Sequence, residues 1–294
     1  MCNIRIDGLT KDAMMYRYVL YIAALLSALP MALAHAAEWV DIPAGAFLMG
    51  STVAQIESAY KTSAAGYAHD GVREAGWFDH ESPQRRIFLP RFRIQKTPVT
   101  QAEYGRFIQA TGHHAPFVGA ETWLSYGLAH PYAHVRPYLW HDDQPPLGKN
   151  QHPVVLVSFQ DALAYAVWLS KQRGRDFHLP SQAQWEKAMR GTDGRQYPWS
   201  GEYDARRLNN ADRQPDATQP VGSYPAGASP YGVLDGAGQV FEWTETDAGS
   251  GKKVVKGGSW DDHGGVCRPA AFHARPAALK HILIGFRLVD EFGK

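Results

Sequence analysis

The sequence predicts an α+β domain with low regular secondary structure, on three observations. Capped helical stripes occupy the middle of the chain, alternating apolar segments precede them, and a half rich in Gly, Pro, Asn and Asp follows from Gly191 onward. With 294 residues, 45% of them hydrophobic and 20% charged, there is apolar material for a sizeable core. A net charge of +1 provides no broad basic field, so nucleic acid is not the expected partner.

The elements follow in order. Arg17 precedes the apolar run YVLYIAALLSALPMAL (18–33), which ends in Ala34-His35-Ala36, a small-x-small pattern that fits the pocket of a signal peptidase. Export to the periplasm with cleavage before Ala37 is expected, and 1–36 reads as an N-terminal extension and signal peptide ahead of one domain over 37–294. Residues 1–13 are polar and unusual ahead of a signal, and Met14 or Met15 would make a more ordinary start. The run falls short of the about 20 residues a permanent span needs, and Pro30 sits near its end. Cleavage also removes Cys2, leaving Cys267 without a partner in the chain, so packing rather than a disulfide is expected to hold the core.

EWVDIPAGAFLMGS (38–51) alternates like a strand and ends in a Gly-Ser turn, and RRIFLPRFRIQKTPVT (85–100) reads as a strand pair interrupted at Pro90. Between them, 59–86 is a long connection, in which Tyr67, Trp77 and Phe78 argue against wholesale disorder. Three helices are then signalled. Thr100 caps a stripe of Tyr104, Phe107 and Ile108 that Gly112 stops; Ser158 caps Ala162, Tyr165, Ala166 and Leu169; Ser181 caps a helix with Trp185 facing inward. HPYAHVRPYLWHDDQPP (130–146) holds too many prolines for a helical histidine pair and has the Tyr, Trp, Arg and His content of a protein-contact or solvated loop.

Two segments carry chemistry. In DGAGQVFEW (235–243), Asp235 and Glu242 bracket a glycine-rich turn; such hard oxygens suit calcium, or else Asp235 makes a turn bond and Glu242 pairs with an arginine. In VVKGGSWDDHGGVCRPAAFHARP (254–276), Cys267 has three readings. It is a small buried hydrophobe, or a ligand with His263 and Asp261 or Asp262 for zinc, Cu(II) or iron, or a reactive thiol activated by Arg268 and His263.

Taken together, IPAGAFLMGS, TPVTQAEYGRFI, HPVVLVSFQDALAYAVWLS, LPSQAQWEKAMRG, YPWSGE, PVGSYPAGASPYGVLDGAGQVFEW, VVKGGSW and the terminal GFRLV resemble the formylglycine-generating enzyme, or sulfatase-modifying factor, superfamily. The motifs stand in family order across nearly the whole of 37–294. The resemblance implies a variant of the C-type lectin fold with structural calcium held by Asp235, Gly238, Val240 and Glu242. A second family calcium site would begin near Asn210 and Ala211, although ADRQPDATQP matches poorly beyond them.

The family oxidises a substrate cysteine with Cu(I) held by two thiolates, which as soft ligands suit that ion. Here the first cysteine position is Asp262, a hard carboxylate, while Cys267, Ser259 and His263 match the family pattern as candidate catalytic residues. Copper is therefore not expected. Trp260, Phe241 and Arg268 would border the ancestral peptide groove, with Val266 and Phe241 where the family often has larger aromatics. AGYAHDGVREAGWFDHESPQRR resembles a segment of exported members encoded with copper nitrite reductases; other exported paralogues include a type VI secretion regulator and a pyoverdine-maturation protein. The expected function is that of an exported accessory or maturation factor on a periplasmic partner protein, copper nitrite reductase among the candidates. The alternatives are a nonstandard metal-dependent oxidase using Cys267 and a calcium-dependent lectin-like module.

Overall fold

The computed structural model describes residues 37–214 and 217–291; the extension and signal peptide expected over 1–36 lie outside the described residues. The chain enters through β1 (Trp39–Ile42) and β2 (Gly45–Met49), continues into α1 (Val53–Tyr67) and the short α2 (Gly71–Glu74), and returns as β3 (Arg85–Leu89) and β4 (Phe92–Gln95). Helices α3 (Gln101–Thr111), α4 (Ala120–Ser125) and α5 (Phe159–Arg173) follow, then β5 (Phe177–His178) and α6 (Gln182–Arg190). Apart from short 3-10 turns, the remainder is loop and five strands: β6 (Phe241–Asp247), β7 (Lys252–Lys256), β8 (Phe272–Pro276), β9 (Ile284–Gly285) and β10 (Val289–Glu291). The sheets run β1-β4-β10-β5, β2-β3 and β8-β7-β6-β9, so β4 pairs with both the first strand and the last.

The helix caps follow the sequence closely. Thr100 accepts from the Glu103 amide, Ser158 from Asp161 and Ser181 from Gln184, and each third residue reaches back to its cap. Gly112 and Gly174 take left-handed φ of 67° and 61° and end α3 and α5. The long connection expected over 59–86 opens inside a helix the sequence reading did not name: α1 starts at a Thr52–Gln55 capping box and runs to Tyr67. Its buried face holds only Ile56, Ala59, Tyr60 and Ser63, so it lacks the bulky stripe that marks the other helices.

The largest apolar cluster joins α3 and α5 to β6 and the C-terminal strands through Tyr104, Phe107, Tyr165, Trp243 and Phe286. In the loop-rich half, buried ion pairs provide much of the order. Arg287 holds Glu242 through two bonds of 2.7 Å, Arg268 holds Glu81 at 2.7 and 2.9 Å, and Glu186 takes Lys256 at 3.0 Å and Arg190 at 2.9 Å. All seven side chains are essentially solvent-free. Among the apolar core residues described, Leu156, fully buried against Val240, Trp260 and Ile282, has φ +60°.

Candidate functional site

The segment leaving β7 turns at Gly258, where φ is +71° and a Cβ would lie 2.8 Å from the Cys267 sulfur. A glycine is needed there because the chain folds back directly onto that thiol. Ser259 comes next, and its backbone N–H and Oγ donate to Asp262 Oδ2 at 2.9 and 2.5 Å. The carboxylate standing at the family's first cysteine position is thereby turned inward to close a four-residue turn. Tyr67 OH, at the end of α1, donates to the other oxygen at 3.4 Å. Burial pushes the Asp262 carboxyl up to about 6, the hydrogen bonds from Ser259 opposing it in part.

Cys267 is 0% exposed, packed with Tyr197, Trp199, Leu208 and Ala237, and its sulfur donates to the carbonyls of Ser259 at 3.9 Å and Asp262 at 3.8 Å. Burial and the nearby Asp262 and Asp212 charges push the thiol well above its ordinary value. Such a sulfur is neither an accessible nucleophile nor a ready thiolate ligand. The buried-hydrophobe reading is the one this geometry matches.

Two features missing from the sequence-based site explain the closure. The first is α1: Tyr67 packs edge-on to His263 with centroids 4.3 Å apart, a Cβ on Gly66 would strike the His263 ring at 2.4 Å, and one on Gly265 would strike Ser63 Oγ at 2.1 Å. The second is Asp212, in the loop that matches the family poorly. It pairs with His263 Nδ1, accepts from Tyr203 OH and from the Asn210 amide at 2.8 Å, and caps Gly264 N–H at 3.1 Å. Burial alone would raise its carboxyl, but the bonds from Tyr203, His263 and Asn210 outweigh it and hold it below the usual range. The His263 ring is thus fixed from two sides. The Thr52-x-x-Gln55 box was a signal for α1; nothing in the sequence marked Asp212.

The same segment opens at its other end. Trp260 and Asp261 line a cleft of about 600 Å³ together with His130, His134, Tyr138 and Lys149. The proline-rich 130–146 loop forms one wall as two 3-10 turns, Tyr132–His134 and Arg136–Tyr138. Trp260 is anchored by its backbone N–H to the Gln239 carbonyl at 3.1 Å.

Other expected residues lie elsewhere. Arg268 does not border a groove: it is buried, paired with Glu81 and stacked 4.6 Å over Phe78, because a guanidinium removed from water needs its carboxylate. Phe241 is likewise 6% exposed and packs on His273 in the core, and Val266 is fully buried. Of the residues expected to hold calcium, both Glu242 oxygens are taken by Arg287 and one also by Trp185 Nε1, and Asp235 Oδ2 accepts from Gly222 N–H at 2.7 Å; Gly238 and Val240, expected to offer backbone carbonyls, lie between them in the same turn. The site already contains a cation, the Arg287 guanidinium. At the second position, Asn210 Oδ1 is buried without a donor among the described residues. Among the described residues Cys267 is the one cysteine, and no three His, Cys, Asp or Glu side chains converge as metal ligands. No helix among them is long and apolar enough to cross a membrane.

This fold and this GGSW-centred segment define a formylglycine-generating type of domain. The chain belongs to the family described as the sulfatase-modifying factor enzyme 1-like domain, which matches residues 27–292. It is 30% identical to a hercynine oxygenase of Mycolicibacterium smegmatis, over 74% of this chain and 57% of that one. The chain spans just over half the length of the hercynine oxygenases it matches. It is also 30% identical to the formylglycine-generating enzyme of Streptomyces coelicolor, over 86% of this chain and 88% of the other. Among solved structures, PvdO from Pseudomonas aeruginosa superposes with a TM-score of 0.66 at 21% identity, covering 87% and 95% of the two chains, a likeness of fold.

Proposed function

We propose that this protein is an exported accessory or maturation factor that binds a peptide segment of a periplasmic partner, copper nitrite reductase among the candidates, and does not oxidise cysteine. One observation carries the reading: the 259–267 segment is sealed at its thiol end, where Asp262 is turned onto Ser259, and open at its Trp260–Asp261 end. A Cu(I) oxidase needs two soft ligands and a path for oxygen and substrate to them. Neither fits a Cys267 that is fully buried and has Asp262, bonded to Ser259, at the other ligand position. A binding protein needs a concave, mostly apolar wall with a few polar groups, as the cleft provides.

The test is to purify the form starting at Ala37, alongside Cys267→Ser, and to measure bound metal by mass spectrometry and turnover of a C-x-P-x-R peptide with Cu(I) and oxygen. No transition metal that depends on Cys267 and no formylglycine product are expected. Copper present in the wild type, lost in the variant and accompanied by peptide oxidation would overturn the reading.

A further inference from the structure

We infer that the open edge of β8 takes an extended acidic segment of a partner protein as an added strand, with a carboxylate of that segment on Arg275. The edge is a docking place apart from the Trp260 cleft, none of whose described lining residues belongs to β8, and it goes beyond the accessory reading without depending on it. β8 is the outer strand of its sheet and pairs with β7 alone. Among the described residues, the one hydrogen bond its backbone takes outside that pairing comes from its own Arg275, whose Nη1 donates to the Ala274 carbonyl at 3.2 Å. Residues 272–275 are half-exposed and Pro276 is exposed. Such an edge offers backbone donors and acceptors to another chain.

Charge sets what that chain must carry. The interior arginines Arg190, Arg268 and Arg287 each hold a carboxylate, at 2.9, 2.7 and 2.7 Å. Arg275 has none within ion-pair distance among the described residues, although burial lowers it below the usual guanidinium range. Asp262, whose charge acts on it from farther off, is turned onto Ser259. Across the sheet, Lys253 of β7 stands directly opposite Arg275, and Asp247 of β6 directly opposite Lys253. Lys253 Nζ donates to the Glu245 carbonyl at 3.2 Å, and Asp247 Oδ1 accepts from Gly249 N–H at 3.1 Å, so neither answers the guanidinium. The row therefore runs minus, plus, plus, and stops at the open edge. Like charges directly opposite destabilise a sheet and opposite charges stabilise it, so a carboxylate in the next strand's place completes the row.

A carboxylate that takes the guanidinium through two parallel bonds also frees the Ala274 carbonyl for an incoming N–H. A basic segment would add a third cation to the row. A second copy of this chain, pairing through its own β8, would bring another Arg275 to the same edge and add a like charge. An acidic strand answers the backbone edge and Arg275 together.

Fluorescence anisotropy with labelled hexapeptides, valine alternating with glutamate, glutamine or lysine, tests this together with hydrogen exchange of the β8 amides. The glutamate peptide is expected to bind about tenfold more tightly than the glutamine one, and the lysine peptide most weakly, with the gap narrowing as salt is added. Bound glutamate peptide is expected to slow exchange at 272–275. Arg275→Gln is expected to erase the preference without lowering the melting temperature, since no carboxylate is stranded, and Arg275→Glu to turn it toward the lysine peptide. Ala133→Gln, in the wall of the Trp260 cleft, is expected to change none of this. Equal binding of the three peptides, no binding, an unaltered preference in Arg275→Gln, or binding that leaves β8 exchange untouched would overturn the inference. So would a fall of several degrees in the melting temperature of Arg275→Gln, which would make the guanidinium a structural one. Copper-dependent oxidation of the C-x-P-x-R peptide would instead overturn the accessory reading and leave the edge as it stands.

Discussion

Asp262 and Cys267 show how one inward-turned carboxylate sets the surroundings of a buried thiol. The aspartate does not wait for a metal; it closes on Ser259, and its desolvated carboxyl titrates near 6. Because that value lies above the unfolded one, the folded state holds a proton the unfolded chain has released, and stability falls as pH rises through about 4 to 6. Asp235, also raised to about 6 by burial, contributes in the same direction. Asp262→Asn keeps an acceptor for the serine and removes the charge, so it is expected to flatten this pH dependence and to raise the melting temperature at pH 8, read by thermal unfolding at pH 5 and pH 8. For Cys267, a thiol reagent is expected to react with the native protein no faster than global opening permits, and rapidly after denaturation. Fast native labelling would contradict the buried geometry.

At the scale of elements, the end of α1 packs directly on the 262–265 turn. Gly66→Ala has two opposed effects: alanine favours the helix by up to about 1 kcal/mol, while its methyl strikes a His263 ring that Asp212 and Tyr67 hold in place. The clash is expected to win, lowering stability by about 1 to 3 kcal/mol and speeding native labelling of Cys267 as α1 lifts. Ser158→Ala tests a cap the sequence did reveal, with an expected cost of about 1 kcal/mol in denaturant unfolding. The contrast between these helices shows what was legible. Caps at Thr100, Ser158 and Ser181 sit ahead of bulky stripes, so local chemistry and periodicity agree. The face of α1 is small and mixed, and its burial depends on glycines at 66 and 265 that let two distant segments touch. Trp260, named from the sequence, lines the cleft, whereas Asp212 reaches His263 from 51 positions away, a contact without periodicity.

Across the molecule, three carboxylates buried in the interior, Glu81, Glu186 and Glu242, each have their own arginine or lysine. Arg287 reaches Glu242 and the carbonyls of Gln95, Lys96 and Leu234, linking β4, the 235–243 turn and the C-terminal strands. Arg287→Met would strand the glutamate, with an expected loss of about 3 to 5 kcal/mol. By the same logic a calcium chelator is expected to leave the wild-type melting temperature unchanged; a fall of several degrees would show that an ion shares the work of Arg287.

Leu156 carries a consequence for which residues its position tolerates. Its left-handed backbone, fixed beside Trp260 by an N–H bond to the His281 carbonyl at 3.1 Å, penalises β-branched side chains most. In a saturation library, glycine and asparagine are expected to survive at 156 more often than valine or isoleucine. A core position would then rank residues by torsion before hydrophobicity.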